Sequence, residues 1–552
     1  MKNFSSRTIL WLIFSASLLI LWTQWQTAHM PPPTAVTQTT TAASGATANT
    51  NAGAAALPDM GVKPTGQSVV LANDKLRLKI NTEGGVVEYA ELLEHRDSKV
   101  KDKNQVLFTT EGNRIYVSRT GLADRNTAVD LKLNHKTPFT ASAPEAVLKD
   151  GENETSVILT ATENGVTLKK TYTLKRGSYS LDVNHEVDNA GATPIDAQVY
   201  LDLSRDDVQE DGSFFYSTYT GPVLYNEEDK FKKIAFTDIA DGKAKFENSA
   251  NNGWVGMLQH YFVAAWVLPN NEERTREFKT VLNKENQPNV YSIRQTVPMG
   301  VIAPAAKASL NTTLYVGPQD QQVLSSVATG LDLSVDYGWA TIIAKPIHWL
   351  MGFINNVIPN WGWTIVALTI LVKLVLFPLT AASYKSMAKM KLLAPRLKQL
   401  QEQHGDDRMK MNQAMMALYK EEKVNPAGGC LPMLAQMPVF LALYYVLQAA
   451  VEVRGAPWLW IKDLSLADPF YVLPALMVIT MLIQTRLNPK PADPMQAKMM
   501  LWMPLIFGVT FFWFPAGLVL YWVVSNIFSI GQQWYMNKKF GIKESLIPLK
   551  GE

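Results

Sequence analysis

Apolar and polar positions follow three different rhythms along this chain, and each rhythm predicts a different kind of structure. Near the start, Ile9 to Trp25 is an uncharged, mostly apolar segment behind Lys2 and Arg7. Trp22 and Trp25 stand where an aromatic belt belongs, and HMPPP after Ala28 is a poor small-residue cleavage site. The reading is an uncleaved signal anchor over 9–27, with residues 1–8 cytoplasmic; a cleaved signal peptide is the alternative. Residues 31–66 carry no charge before Asp59 and no apolar period, which predicts a disordered tether, 28–66, on the outer side of a membrane. From about residue 67 the period becomes two. Leu76, Leu78 and Ile80 alternate with Lys75, Arg77 and Lys79. Around Asn164-Gly165 a hairpin is predicted, with Val166, Leu168, Tyr172 and Leu174 facing one way and Thr167, Lys169 and Thr171 the other. Repeated strands of this kind with polar turns predict a β-sandwich over 67–333.

Beyond Tyr337 the spacing turns helical. Ile342, Ile343, Ile347, Leu350, Met351 and Ile354 are expected to share a face, with Lys345 off it. That pattern predicts an amphipathic helix in the membrane interface over 334–357; a helix packed on the sandwich has the same signature. Five apolar runs follow, at 361–382, 431–451, 469–486, 499–514 and 518–535, the last two joined by Pro515-Ala516-Gly517. With the anchor they make six spans: the second over 358–382, and the third to sixth within 429–535. The fold class expected is a polytopic α-helical membrane protein of six transmembrane helices with an inserted all-β external domain.

Charge sets the orientation. The segment 383–428 holds nine basic residues, Lys385, Lys389, Lys391, Arg396, Lys398, Arg408, Lys410, Lys420 and Lys423, whereas the 452–468 loop holds only Arg454 and Lys462. The positive-inside rule then makes 383–428 cytoplasmic, the β-domain external and both termini cytoplasmic, the tail being 536–552. Within 383–428, Met390, Leu393, Leu397 and Leu400 step by three and four, as do Met411, Met415 and Leu418, with HGDD between them. A two-helix hairpin follows, its first arm subject to a kink at Pro395. Its methionines suit a variable apolar partner, and they suit an ordinary core equally well.

Composition changes the picture in two ways. Across 552 residues, 52 Lys+Arg against 49 Asp+Glu and 47% hydrophobic residues resemble a soluble average, so only the partition along the chain reveals a membrane protein. The one cysteine, Cys430, excludes an intramolecular disulfide, so the external domain has to be held by its core alone.

The candidate chemistry centres on Lys373, alone in the run Trp361 to Ala382. It lies about 15 Å from either end of that run, where a lysine costs about 2.5 to 3.5 kcal/mol on insertion scales. No Asp or Glu interrupts the runs from 361 onward, so Lys373 must face water or neutral dipoles. Thr369 one turn before it, Gln436 in the third span, and Tyr521, Ser525 and Asn526 in the last are the candidates to line a wet groove. Each of those polar residues also serves as ordinary interhelical glue, and Lys373 can snorkel without further role.

The runs YKSMAKMKLLAPRLKQL, GDDRMKMNQAMMALYKEEKVNPAGGCLPMLAQMPVFLALYYVL, DPMQAKMM and FPAGLVLYWVVSN resemble the YidC/Oxa/Alb family of membrane protein insertases, in its Gram-negative form. With the anchor and the β-domain, the resemblance covers essentially the whole chain in order. It implies an insertase core, formed by five of the six transmembrane helices around a hydrophilic groove open to lipid and cytoplasm and closed toward the outside, and a periplasmic super-sandwich similar to sugar mutarotases. It implies integration of nascent inner-membrane proteins into the lipid bilayer, alone or with the Sec translocon, and no cofactor. It further implies that the hairpin, through Lys385, Lys389, Met390, Lys391, Met411, Met415 and Met416, receives clients from the signal recognition particle and its receptor or from the translating ribosome. The tail sets Lys538, Lys539, Lys543 and Lys550 against two Glu, too mild a basic charge to argue for ribosome binding on its own. Two departures stand out. Lys373 replaces the groove arginine of many relatives, which keeps the charge and loses the planar fork. Trp522 replaces a second tyrosine of some relatives, which keeps an aromatic ring and loses a hydroxyl.

Two rival readings remain. One is a transporter of an anionic solute held by Lys373; the missing intramembrane carboxylates count against it. The other is a tethered carbohydrate enzyme using His95, His135, His185 and His260, although no HExxH, GxSxG or Walker A pattern is present.

Overall fold

The computed structural model describes residues 63–97, 100, 102–125, 131–208, 219–269, 272–284, 288–404, 407–422, 431–488 and 494–540. The expected signal anchor over 9–27, nearly all of the tether, Cys430 and the tail beyond Phe540 lie outside the described residues.

Among the described residues, two sheets, of ten and nine strands, form the β-domain. Strand Leu76–Asn81 shows why: Leu76, Leu78 and Ile80 are buried while Arg77 and Lys79 are exposed, so its apolar side must be covered by a second layer. The middle of the first sheet runs from Val290–Ile302 through Ile195–Asp206 to Tyr116–Asp124, all antiparallel. The second is built on Ala306–Pro318, Ser180–Asn189, Val166–Lys175 and Glu154–Glu163, again antiparallel. Between the last two strands Glu163 pairs with Val166, and Asn164 and Gly165 take φ of 49° and 76°. Two successive left-handed residues make the turn whose twist matches a two-residue hairpin.

One residue breaks the simple inside-outside rule in that hairpin. Lys170 lies on the inward face of Val166–Lys175 with Leu168 and Tyr172, at 0% exposure. Its ammonium crosses to the other sheet and donates to the carbonyls of Gly84 at 2.8 Å and Thr120 at 2.6 Å. Burial pushes its pKa down from 10.5 to about 7.

Among the described residues nine α-helices follow from Thr341 onward. They are α1 Thr341–Val357, α2 Trp361–Val375, α3 Phe377–Leu392, α4 Ala394–His404, α5 Arg408–Glu421, α6 Leu431–Ala449, α7 Val472–Leu487, α8 Pro494–Thr510 and α9 Ala516–Lys539. Helix α1 packs on α6 and α2. It buries Ala344, Ile347 and Met351, and presents Trp349 and Phe353 outward with their rings stacked 6.0 Å apart. Ile342 does not join the covered face as its spacing suggested; it is 87% exposed. The helix is apolar around most of its circumference, so periodicity alone does not select the packed side.

The apolar run 361–382 is also not one helix. It divides at Leu376, and α2 and α3 meet at a bend of 65°. Pro378 sits in the first turn of α3, where its missing N–H is harmless, but it cannot continue the hydrogen-bond ladder of α2. Among the described residues no single helix is long and apolar enough to cross a membrane, and α2 with α3 pass that test only as the bent pair. In the region expected as a hairpin, α3 ends at Leu392 and α4 starts at Ala394, just before Pro395. Asp407 then caps α5 by accepting from the N–H groups of Met409 and Lys410, and Arg396 of α4 pairs with Glu422.

The sandwich meets the helices through the loop after α6. Arg454 donates to Gln105 Oε1 at 2.7 Å and lies 5.0 Å over the Phe262 ring. His348 of α1 stands 3.4 Å from Glu452 in the same loop.

Candidate functional site

Helix α2 starts where Asn360 accepts from the Trp363 N–H at 3.1 Å, and Thr369 and Lys373, four residues apart, share one side of it. Both are buried, Lys373 at 6% exposure. The Thr369 hydroxyl is spent on its own helix, donating to the Ile365 carbonyl at 2.6 Å. The Lys373 ammonium donates to Ser529 Oγ of α9 at 2.9 Å, and among the described residues no carboxylate pairs with it. A buried cation held by a neutral hydroxyl keeps its charge uncompensated.

Ser529 belongs to a row on α9. Tyr521, Ser525, Ser529 and Gln532 are spaced by four, four and three, so they share one face, and all four are buried. Helix α3, packed on α9, contributes Thr380, Ser383 and Tyr384 to its own buried side, and the Tyr384 phenol also engages Ser529. The ammonium therefore meets Ser529 within a buried row of hydroxyls on α9 that ends in an amide.

The remaining expected groove residues lie elsewhere around the helices. Trp522 is half-buried in an aromatic cluster, stacked 5.3 Å from Phe440 and edge-on to Phe511 at 4.5 Å. Asn526 donates to Thr480 Oγ1 at 3.3 Å on α7. Gln436 is half-buried on α6, one turn ahead of Phe440. Residues 525 and 526 adjoin in sequence but stand about 100° apart around a helix, so only the first shares the lysine's side. Ser529, Gln532 and Tyr384 were not singled out from sequence. The signal for the first two was present, since they continue the row from Tyr521 one and two turns past Ser525.

In the expected hairpin, Lys385 and Lys389 of α3 and Met416 of α5 are exposed, while Met390, Lys391, Met411 and Met415 are half-buried. The four histidines of the sandwich do not converge. His185 contacts the Thr120 hydroxyl, His135 Nδ1 lies 2.9 Å from the Tyr200 hydroxyl, His95 Nε2 lies 3.2 Å from the Tyr179 hydroxyl, and His260 stacks on Tyr261. Burial holds His95 down at about 4 and His185 at about 3. Among the described residues no group of three or more His, Cys, Asp or Glu can hold a metal ion.

A two-layer β-domain followed in the chain by apolar helices that bury an ammonium outlines a large polar domain joined to an apolar helical one. Comparison with known proteins makes this specific. Residues 68–350 match the family model described as YidC periplasmic domain, and 353–543 match 60Kd inner membrane protein. The chain is 48% identical over 564 residues to the membrane protein insertase YidC of Cupriavidus necator, covering 99% of both chains. With that of Bordetella pertussis it shares 46% over 555 residues, covering 96% of this chain and 97% of the other. A crystal structure titled active YidC insertase, with the first transmembrane domain resolved, aligns at a TM-score of 0.41 and 18% identity over 86% of this chain and 95% of that one. A galactose mutarotase related enzyme from Lactobacillus acidophilus aligns at a TM-score of 0.30 and 9% identity over 46% of this chain and 97% of that one. The chain belongs to the YidC family of membrane protein insertases, an inner-membrane family with a periplasmic domain.

Proposed function

We propose that this chain integrates inner-membrane proteins by offering their exported flanks a hydrated, positively charged stopping place at Lys373. The observation that carries the reading is the Lys373 ammonium, buried on a face of hydroxyls and held by Ser529 rather than by a carboxylate. An apolar client segment of about 20 residues gains several kcal/mol on entering lipid, so its final state needs no nucleotide. The barrier is the polar flank, where each aspartate costs roughly 2.5 to 3.5 kcal/mol at mid-membrane. A wet groove shortens the dry path, and a cation part way across attracts an acidic flank. The apolar segment then leaves sideways along the lipid-facing surfaces of the third and fifth spans.

In this reading six spans place both termini in the cytoplasm and the sandwich in the periplasm. The exposed Lys385, Lys389 and Met416 belong to the surface that receives clients from targeting factors, ribosomes or the Sec translocon. The sandwich acts as a sugar-independent scaffold for Sec components. The anionic-solute transporter gains no support from either family match. Insertion by full-length protein in liposomes tests the proposal: Lys373→Ala impairs short clients with acidic flanks, and Lys373→Glu impairs them further. Full activity of the glutamate variant rules out electrostatic attraction.

A further inference from the structure

The row on α9 does not end at the lysine's partner. Gln532 lies one turn beyond Ser529, about 4.5 Å further along the axis. It is 8% exposed, and both its Nε2 and its Oε1 are buried without a hydrogen-bond partner among the described residues. A buried primary amide with donor and acceptor both unused is costly to keep. Its neighbour is tied through one end. Gln533 donates to the Leu487 carbonyl at 2.9 Å and to Asn488 Oδ1 at 3.1 Å, tying α9 to the end of α7, while its Oε1 is buried without a partner among the described residues. That tie fixes the rotation of α9, and with it the direction of Gln532 toward the side of Ser529 and Lys373.

We propose that Gln532 is a client-binding residue that pairs with the main chain of the polar flank as it passes. An extended segment shows an N–H and a C=O of the same residue on one edge, and a carboxamide matches both, accepting through Oε1 and donating through Nε2. The match is indifferent to side-chain identity, which suits a site that handles many sequences. Lys373 and Gln532 then divide the recognition: the ammonium reads the charge of the flank, and the amide reads its backbone. This inference rests on the insertase reading of the same face and adds the chemical group of the client that is bound there.

The test uses the full chain in liposomes and three versions of a single-span client: acidic flank, uncharged polar flank, and uncharged flank with its main-chain nitrogens methylated. Gln532→Leu is expected to slow the first two alike, roughly five- to tenfold for two lost hydrogen bonds. Its effect is expected to shrink by at least half on the methylated flank. The empty Gln532→Leu protein should melt at the wild-type temperature or above, since the change removes unpaired polar atoms from a buried site. Lys373→Ala separates the two ideas, because it should slow the acidic client alone. If Lys373→Ala is harmless while Gln532→Leu slows both clients, the charge reading fails and this one stands. A lowered melting temperature for Gln532→Leu, wild-type insertion of the uncharged client, or an equal effect on methylated and unmethylated flanks overturns the proposal.

Discussion

The contact between Lys373 and Ser529 is open to a direct energetic test, because each partner can be removed without creating a new polar group. At 2.9 Å the bond joins a charged donor to a neutral acceptor between two buried residues. Hydrogen bonds between helices in membranes average about 0.6 kcal/mol and reach about 1.7 in double-mutant cycles. A charged donor puts this one at the upper end, so Ser529→Ala should cost about 1.5 kcal/mol in the wild-type background. Lys373→Met removes the bond and also the buried charge, and the second change is favourable, so it should be close to neutral or stabilising. With the lysine gone, Ser529→Ala still loses the Tyr384 contact but no longer the bond to the ammonium, so its cost should fall by the share that bond contributes. The expected coupling is therefore at least 1 kcal/mol, measured from the unfolding of all four proteins in one detergent. A coupling below about 0.3 kcal/mol, or a Ser529→Ala protein more stable than wild type, would refute the claim that the hydroxyl holds the ammonium.

Three further outcomes follow from the same structure. Arg454→Ala should loosen the sandwich from the helices, seen as faster amide exchange around Phe262. It should also let the His95 pKa rise from about 4, since the Arg454 charge helps to hold it down; an unmoved histidine titration would contradict the contact. The sandwich should lose stability on acidification: burial lowers the pKa of His185 from 6.5 to about 3, so between those values the unfolded chain binds more protons. The slope approaches about 1.4 kcal/mol per pH unit, while Lys170, lowered to about 7, adds stability as pH rises from there toward 10.5; a denaturation midpoint independent of pH would count against both. Gly362→Ala should destabilise by about 1–3 kcal/mol, because a Cβ there would stand 2.1 Å from Trp458 Cδ1, and an unchanged melting temperature would show that this packing is not tight.

How far sequence carried the structure depended on whether one residue had one plausible environment. The strand Leu76–Asn81 was legible because its alternation of leucine with lysine and arginine admits a single arrangement on a half-buried sheet. Lys170 was not, since a lysine between Lys169 and Thr171 reads as solvated. Only a fold that brings the Gly84 and Thr120 carbonyls opposite it can hold it inside. The same distinction governs the site. Lys373 stood out because the run around it has no other charge, yet its partner was one of several hydroxyls on α9, and the choice depends on helix rotation. Trp522 and Asn526 flank the right row in sequence and leave it in space, turning to Phe440 and to Thr480.

The choice of a hydroxyl rather than a carboxylate to face Lys373 has a consequence for the proposed mechanism. Two unit charges about 8 Å apart attract by about 2 kcal/mol at an effective dielectric constant near 20. That offsets most of the roughly 2.5 to 3.5 kcal/mol an aspartate costs at mid-membrane, and it is weak enough to let the flank go. A carboxylate in direct contact with the ammonium would cancel this field at the distance of an approaching client, while leaving the lysine in place. Ser529→Asp creates that situation, because the serine oxygen already lies 2.9 Å from Nζ. The variant should insert uncharged clients normally and acidic clients no better than Lys373→Ala does. Wild-type rates for acidic clients in Ser529→Asp, with the ion pair verified by a stability gain that vanishes when Lys373 is also replaced, would show that the net charge of this face does not act on the client.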